Sequence, residues 1–261
     1  MSQSSDDKQT SVAPRARRPG AWKWALLGLL LLAAAAAMSL HLRREHLASR
    51  LLAVPPDAAA SDPSLVRFAV AQARPLYARY CSSCHGADMR GNPALGAPNL
   101  TDSVWLYGDG SVHEIELTVL YGVRSGVGKA HNVTDMPAYG LTGRLREGEI
   151  RDVVQYVLEL AGRPYQVAAA NEGRTLYAGV PNCADCHGFD GRGNSNYGAP
   201  DLTANVWNSG GDPQALFNDI YYGEHRMMPA WIDTLSLMQI RALAVYIHTV
   251  AQPSRTAASG Y

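Results

Sequence analysis

The feature that most constrains the fold of this chain is an internal duplication. The run Cys81-Ser-Ser-Cys-His-Gly recurs as Cys183-Ala-Asp-Cys-His-Gly. The run Gly96-Ala-Pro-Asn-Leu-Thr recurs as Gly198-Ala-Pro-Asp-Leu-Thr, the same number of residues further along. Chance matches to short motifs would not keep their order, so these blocks predict two related domains.

A third repeated block and the helix signals indicate what each copy contains. Met136-Pro-Ala-Tyr is matched by Met228-Pro-Ala-Trp. Ser111-x-x-Glu predicts a capped helix in the first copy, and Asp212-Pro predicts one in the second. A later apolar stripe in each copy predicts a terminal helix, which Ser236-x-x-Gln caps in the second copy. Each copy is thus predicted to be a small all-α domain with an early, a middle and a terminal helix.

The segment before the repeat predicts a membrane anchor. Residues 24–42 contain no Asp, Glu, Lys or Arg, and a helix of that length just crosses a hydrocarbon core of about 30 Å. Five Lys and Arg side chains precede the segment, which favours an N-terminus inside and the rest of the chain outside. A cleaved signal peptide is the alternative, because the alanine run is typical of the end of one. Either interpretation exports the repeated domains.

These signals divide the chain into six segments. The predicted layout is a cytoplasmic N-terminal tail over 1–20, a transmembrane anchor over 21–42, a linker over 43–63, a first domain over 64–164, a second domain over 165–252 and a C-terminal tail over 253–261.

Charge excludes one class of partner. The chain has 23 Lys and Arg against 23 Asp and Glu. Residues 1–50 hold eight of the basic residues and only three of the acidic ones, so the globular part is mildly acidic. An acidic surface argues against nucleic acid and is compatible with a basic soluble partner, although an ordinary solvated surface has the same composition.

The repeated Cys-x-x-Cys-His run is the attachment signature of a c-type haem. Its two cysteines lie on one side of a helical turn, where their sulfurs form thioethers with the two vinyl groups of one porphyrin. A thioredoxin-like site needs a βαβ setting that the sequence lacks, and structural zinc needs a fourth ligand. We therefore expect two covalently bound haem c groups, held by Cys81, Cys84 and His85 and by Cys183, Cys186 and His187.

Methionine is the expected second axial ligand at both irons. Met136 and Met228 stand in the same Met-Pro-Ala-aromatic context, between the middle and terminal helices of their copies. A thioether ligand stabilises ferrous iron and raises the potential, which suits electron transfer. The rival ligands are Met227, His225 and His131. For the two histidines we expect an exposed, polar surface position instead.

Other residues are candidates for supporting roles at the haems. The carbonyls of Pro98 and Pro200 are candidates to accept a hydrogen bond from the proximal histidines, which fixes the imidazole tautomer. Arg124 and Arg226 are candidates for pairing with haem propionates, with a solvated surface position as the alternative. Several aromatic residues are candidates to pack on the porphyrins or to fill the core: Trp105, Tyr107, Trp207 and Trp231.

The wider sequence resembles the dihaem subunit, subunit III, of cbb3-type haem–copper cytochrome c oxidases. The resemblance covers about residues 51–250 and rests on Asp62-Pro-Ser-Leu-Val-Arg-Phe-Ala-Val-Ala, on Gly96-Ala-Pro-Asn-Leu-Thr-Asp-Ser-Val-Trp-Leu-Tyr-Gly and on Tyr121-Gly-Val-Arg-Ser-Gly. It implies an all-α fold with two tandem class I cytochrome c domains after an N-terminal transmembrane helix. It also implies that His85 pairs with Met136 and His187 with Met228.

The same resemblance implies a role in aerobic respiration. Electrons would come from a soluble cytochrome c or the cytochrome bc complex and pass through a monohaem subunit toward the catalytic subunit. The chain would cross the bacterial cytoplasmic membrane once, with its haem domains in the periplasm. We expect an electron-transfer subunit and not an enzyme, because both irons are expected to be six-coordinate.

Three alternatives follow from the haem motifs alone. One is an anchored dihaem carrier for a periplasmic dehydrogenase or another reductase. The others, a dihaem peroxidase and a haem sensor, both require an open or labile axial position.

Overall fold

The computed structural model describes residues 20–131, 134–179, 181–204, 206–207 and 210–251. The chain forms two units, residues 1–46 and residues 47–261. The predicted tail over 253–261, and all but the last residue of the tail predicted over 1–20, lie outside the described residues.

The first unit consists, in its described part, of most of helix α1 (Ala21–Ala53). The stretch Trp22–Ala53 is long and apolar enough to cross a membrane by length and composition, and its most apolar part is unburied. The helix therefore fits a single-pass anchor. It also continues through the first half of the predicted linker.

In its described residues, the regular secondary structure of the second unit consists of helices, which confirms the all-α prediction; pairing outside helices is limited there to isolated bridges. After the end of α1, its helices are α2 (Pro56–Ala60), α3 (Pro63–Tyr80), α4 (Ser82–His85), α5 (Val112–Tyr121), α6 (Glu147–Leu160), α7 (Val167–Ala178), α8 (Cys183–His187), α9 (Pro213–Tyr222) and α10 (Leu237–Ala251).

The predicted helix starts are confirmed by their caps. The Ser111 side chain accepts a hydrogen bond of 3.2 Å from the Glu114 N–H at the start of α5. At the start of α10 the Gln239 side chain accepts from the Ser236 N–H at 2.9 Å, and Ser236 accepts from the Gln239 N–H at 3.4 Å. Asp212 caps α9 with bonds to two N–H groups. Each cap satisfies donors that have no partner within the helix.

Two hydrophobic cores form, and they do not follow the two predicted segments. The first core joins α3 and α5 to α10, the last helix of the chain. The second core joins α7 and α9 to α6, which precedes both of them. Tyr77 on α3 meets Tyr246 on α10 edge to face at 6.2 Å between ring centroids, and Tyr177 on α7 meets Tyr156 on α6 at 5.1 Å. The two copies have therefore exchanged their terminal helices.

Candidate haem sites

Each attachment motif lies at the end of the early helix of its copy. In the first copy the His85 N–H donates to the Cys81 carbonyl at 2.9 Å, so that the motif forms one helical turn. In the second copy Cys183–His187 forms the equivalent turn, α8. Gly86 and Gly188 end these turns with φ of +79° and +76°, a backbone region that favours glycine. The local sequence thus presents two sulfurs and one imidazole together.

The proximal histidines are fixed through one ring nitrogen. His85 Nδ1 lies 3.1 Å from the Pro98 carbonyl oxygen, and His187 Nδ1 lies 3.1 Å from the Pro200 carbonyl oxygen. A carbonyl only accepts, so Nδ1 carries the proton and Nε2 keeps a free lone pair. Burial lowers the pKa of both imidazoles, which favours this neutral form. The predicted role of the two proline carbonyls is confirmed.

None of the four cysteines is paired in a disulfide. Burial is the main cause that raises the pKa of Cys81 and of Cys183 to about 11. Both therefore stay neutral at pH 7 and are poor candidates for thiolate chemistry. Within the described residues, no group of three or more His, Cys, Asp or Glu side chains is arranged to hold a metal ion.

The two motifs open on one cavity of about 550 Å³ with mainly apolar walls. Its lining includes all of the predicted haem-binding residues: Cys81, Cys84, His85, Met136, Cys183, Cys186, His187 and Met228. A c-type haem requires two thiols, an imidazole with one nitrogen already hydrogen-bonded, and an apolar enclosure that contains a thioether. The residues fit the group at both motifs.

The structure places each methionine near the attachment motif of the other copy. The family resemblance implies the reverse, a methionine and a motif from the same copy. Met228 packs against the first core, which contains Tyr77 and the neighbouring Cys81. Met136 packs against the second core, together with Cys183. Each methionine thus packs against the same core as a cysteine of the other copy. This packing favours the crossed pairs, His85 with Met228 and His187 with Met136, over the expected pairs within one repeat.

Backbone pairing holds the methionines in these crossed positions. Val123 and Met228 exchange two N–H···O bonds of 2.9 Å, and Met136 and Glu224 exchange bonds of 3.2 and 3.1 Å. Val123 follows α5, the middle helix of the first copy, and Glu224 follows α9, the middle helix of the second copy. Each methionine segment is thus paired with the chain that leaves the middle helix of the other copy.

Glycine makes the close approach of these segments possible. Gly122 and Gly223 both have φ of +74°. A Cβ on Gly122 would overlap the Met228 carbonyl oxygen, and one on Gly223 would overlap the Met136 carbonyl oxygen. The equivalent clashes show that the two crossings have the same construction.

A family model described as "Cytochrome C oxidase, cbb3-type, subunit III" matches residues 68–157 and 168–247. The chain belongs to this family. The match includes both attachment motifs and both methionines, and it confirms the resemblance found in the sequence. Membership of the family implies covalently bound haem c.

This chain has curated relatives that are named as subunits of cbb3-type cytochrome c oxidases. It is 38% identical over 191 residues to cbb3-type cytochrome c oxidase subunit CcoP of Cereibacter sphaeroides, covering 73% of this chain and 64% of the relative. It is 40% identical over 193 residues to subunit FixP of Bradyrhizobium sp. (strain ORS 278), covering 72% and 63%. A CcoP of Rhodobacter capsulatus is 37% identical over 209 residues, covering 77% and 69%. The chain thus spans less than two thirds of the length of the first two relatives.

The rival ligands have other surroundings in this chain. Met227 is 68% exposed. The His225 imidazole is mostly exposed and lies 2.6 Å from an Asp135 carboxylate oxygen. His131 is only half-buried, but it stacks on Tyr107 at 4.4 Å between centroids and contacts the Thr118 hydroxyl at 3.1 Å. His131 is therefore part of a packed contact and not the exposed residue that we expected.

Contacts between the copies surround the glycine turns that follow each motif. Tyr107 of the first copy packs over Gly198 of the second, and Arg226 of the second packs over Gly96 of the first. A Cβ at either glycine would overlap the side chain above it. The repeated Gly-Ala-Pro run therefore serves the contact between copies, a role that the sequence analysis missed.

The two arginines proposed for propionates already have partners in the protein. Arg226 lies 2.6 Å from a Glu224 oxygen and 3.8 Å from an Asp219 oxygen. Burial, with the hydrogen bond and charge of Asp219, raises the pKa of Glu224 to about 8 against the opposing effect of Arg226. Arg124 is ion-paired with Asp135.

Proposed function

We propose that this chain is a membrane-anchored dihaem c-type cytochrome that passes single electrons toward the haem–copper catalytic subunit of a cbb3-type oxidase. The observation that carries the proposal is the presence of two equivalent donor sets around one apolar cavity. Each set has paired thiols, a histidine bonded to a proline carbonyl, and a methionine.

Each attachment motif would hold one haem through two thioethers. His85 and Met228 would hold the first iron, and His187 and Met136 would hold the second. The bound haem supplies a one-electron iron couple. The imidazoles stay neutral and oriented through the Pro98 and Pro200 carbonyls, and the methionine thioethers favour the ferrous state and thus a higher potential.

A carrier has to exchange electrons without binding substrates at iron. A histidine and a methionine held at each iron would close the positions that oxygen, peroxide or carbon monoxide would use. The apolar walls exclude water from the site. The chain would therefore act in electron transfer, and oxygen reduction would take place in another subunit.

The names of the relatives support a place in an oxidase complex. The relatives compared above are subunits of cbb3-type oxidases, which favours this role over service to a periplasmic dehydrogenase. The partners would be the monohaem and catalytic subunits, with a soluble cytochrome c or the cytochrome bc complex as donor. The basic residues before α1 favour haem domains in the periplasm of a bacterial cell.

Purification of the full chain from cells competent for cytochrome maturation tests the proposal. We expect a haem-stained band after denaturing electrophoresis, two haems per chain by pyridine haemochrome, and no carbon monoxide binding by the reduced protein. We also expect copurification with a haem–copper subunit. An unstained band would overturn the cofactor assignment, and copurification with a dehydrogenase alone would overturn the oxidase assignment.

A further inference from the structure

One arginine contacts both methionine segments. The Arg124 guanidinium donates through Nη1 to the Arg226 carbonyl oxygen at 2.9 Å and through Nη2 to the Thr134 carbonyl oxygen at 2.6 Å. Thr134 stands two residues before Met136, and Arg226 stands two residues before Met228. The two bonds therefore reach equivalent points on the two segments.

The rest of the guanidinium is also engaged. Nε is ion-paired with Asp135, the residue immediately before Met136. The other Asp135 oxygen lies 2.6 Å from His225, in the segment that leads to Met228. Asp135 thus extends the same link to the second segment, and Arg124 and Asp135 together join the approaches to both methionines.

The position of Arg124 is specific. Its side chain is only 17% exposed, so its bonds are protected from competing water. Its φ of +48° lies in the left-handed region, which is uncommon for residues with a side chain. It also follows Val123, whose backbone pairs with Met228. The backbone and the side chain therefore act at the same crossing.

We propose that Arg124 is a positioning residue that holds the two methionine segments together, so that methionine ligation at the two haems is kept or lost jointly. The proposal rests on the His/Met ligation proposed above. Arginine suits this role because its planar fork donates in several directions at once, whereas an ammonium is a compact point charge on a flexible stem.

The test uses Arg124→Gln in the full haem-loaded chain, with wild type and Arg192→Gln as controls. Arg192 carries the same charge, but its side chain is 78% exposed and is paired with Asp190 in the loop after His187. The readouts are the methionine-to-iron charge-transfer absorption of the oxidised protein and the number of carbon monoxide molecules bound per reduced chain.

In wild type and Arg192→Gln we expect the full charge-transfer band and no carbon monoxide binding. In Arg124→Gln we expect the band to weaken by more than half and binding to approach two molecules per chain. Binding that saturates at one molecule per chain, or an unchanged band, would overturn the joint role. A wild type that lacks the band would instead overturn the proposed ligation.

Arg124→Lys separates geometry from charge and serves if Arg124→Gln does not fold. An ammonium keeps the charge but does not reproduce the fork. We expect Arg124→Lys to bind carbon monoxide at both haems, with wild-type haem content and far-ultraviolet circular dichroism; binding at one haem alone would overturn the joint role. Wild-type behaviour of Arg124→Lys would show that charge alone suffices and would sink the proposal.

Discussion

The Tyr77 hydroxyl donates a hydrogen bond of 2.7 Å to the carbonyl oxygen of Gly86, the residue that follows His85. Tyr177 makes the same bond to Gly188 at 2.8 Å. Burial is the main cause that raises the pKa of both phenols above the ordinary value, so both remain donors. Each early helix thus holds the end of its own attachment motif.

Replacement of Tyr77 or Tyr177 by Phe should therefore destabilise the protein. The change leaves a carbonyl without its donor while the ring stays in place, and a bond of this kind contributes about 0.5–1.5 kcal/mol. Denaturant unfolding followed by circular dichroism measures the loss. Tyr222→Phe is the control, because Tyr222 is 59% exposed. Equal stability of all three variants would contradict a structural role for the two bonds.

The crossed methionines give a prediction that distinguishes them from pairing within a repeat. With the first motif changed to Cys81→Ala and Cys84→Ala, only the haem on the second motif is attached. Met136→His should then lower the potential of that haem, because imidazole stabilises ferric iron relative to a thioether. Met228→His should leave it nearly unchanged.

The reciprocal pair of variants checks the same point from the other side. With Cys183→Ala and Cys186→Ala, Met228→His should lower the potential of the remaining haem and Met136→His should not. Potentiometric titration of the four proteins gives the answer. The opposite pattern in both backgrounds would return the ligands to their own repeats.

The structural features that the sequence predicted are those that depend on residues close together along the chain. The attachment turns, the caps at Ser111 and Ser236 and the carbonyl at Pro98 follow from local spacing. The exchange of α6 and α10 does not, because both copies carry a Met-Pro-Ala-aromatic block and an apolar terminal helix that suit either core. Tertiary contacts such as those of Gly122 and Gly223 distinguish the arrangements, and no local pattern reports them.

Tyr77 and Tyr177 escaped detection for a simpler reason. Two more residues separate Tyr177 from Cys183 than separate Tyr77 from Cys81. The repeat offset that aligns the cysteines therefore misaligns the tyrosines. Only the contact with the glycine carbonyls shows that they are equivalent.

Gly173 on α7 permits a close helix crossing that the other core lacks. A Cβ at Gly173 would overlap the Asp152 carbonyl on α6, whereas the first core accommodates buried Ala73 on α3.

Gly173→Ala should cost about 1–3 kcal/mol of stability through overpacking. Gly148→Ala is the control, because nothing lies within 4 Å of its added methyl. The control should be neutral or up to about 1 kcal/mol more stable, as expected for alanine in a helix. Thermal unfolding compares the two, and equal effects would contradict a close crossing.

The first core contains a buried ion pair. At the equivalent position the second core has a cation–π contact instead. Arg241 on α10 lies 2.6 Å from the Glu116 carboxylate on α5, and it donates to the Leu51 and Val54 carbonyls at 3.1 Å. In the second core the equivalent Arg151 is largely exposed and lies over the Phe217 ring at 4.7 Å. The end of α1 buries the first arginine, so the same helix position has a different environment in each core.

Arg241→Met should therefore cost about 3–5 kcal/mol, because it leaves the buried Glu116 carboxylate without a partner. Arg151→Met, the matched control, should cost less than about 1 kcal/mol, because it removes a cation–π contact with Phe217 and an ion pair with Glu147 that are both exposed to solvent. Denaturant unfolding of both variants measures the difference. The double variant Glu116→Leu/Arg241→Met should lose less stability than Arg241→Met alone, because it removes the unpaired charge as well. If the double variant is the less stable of the two, the cost arises from packing around α10 and the ion-pair explanation fails.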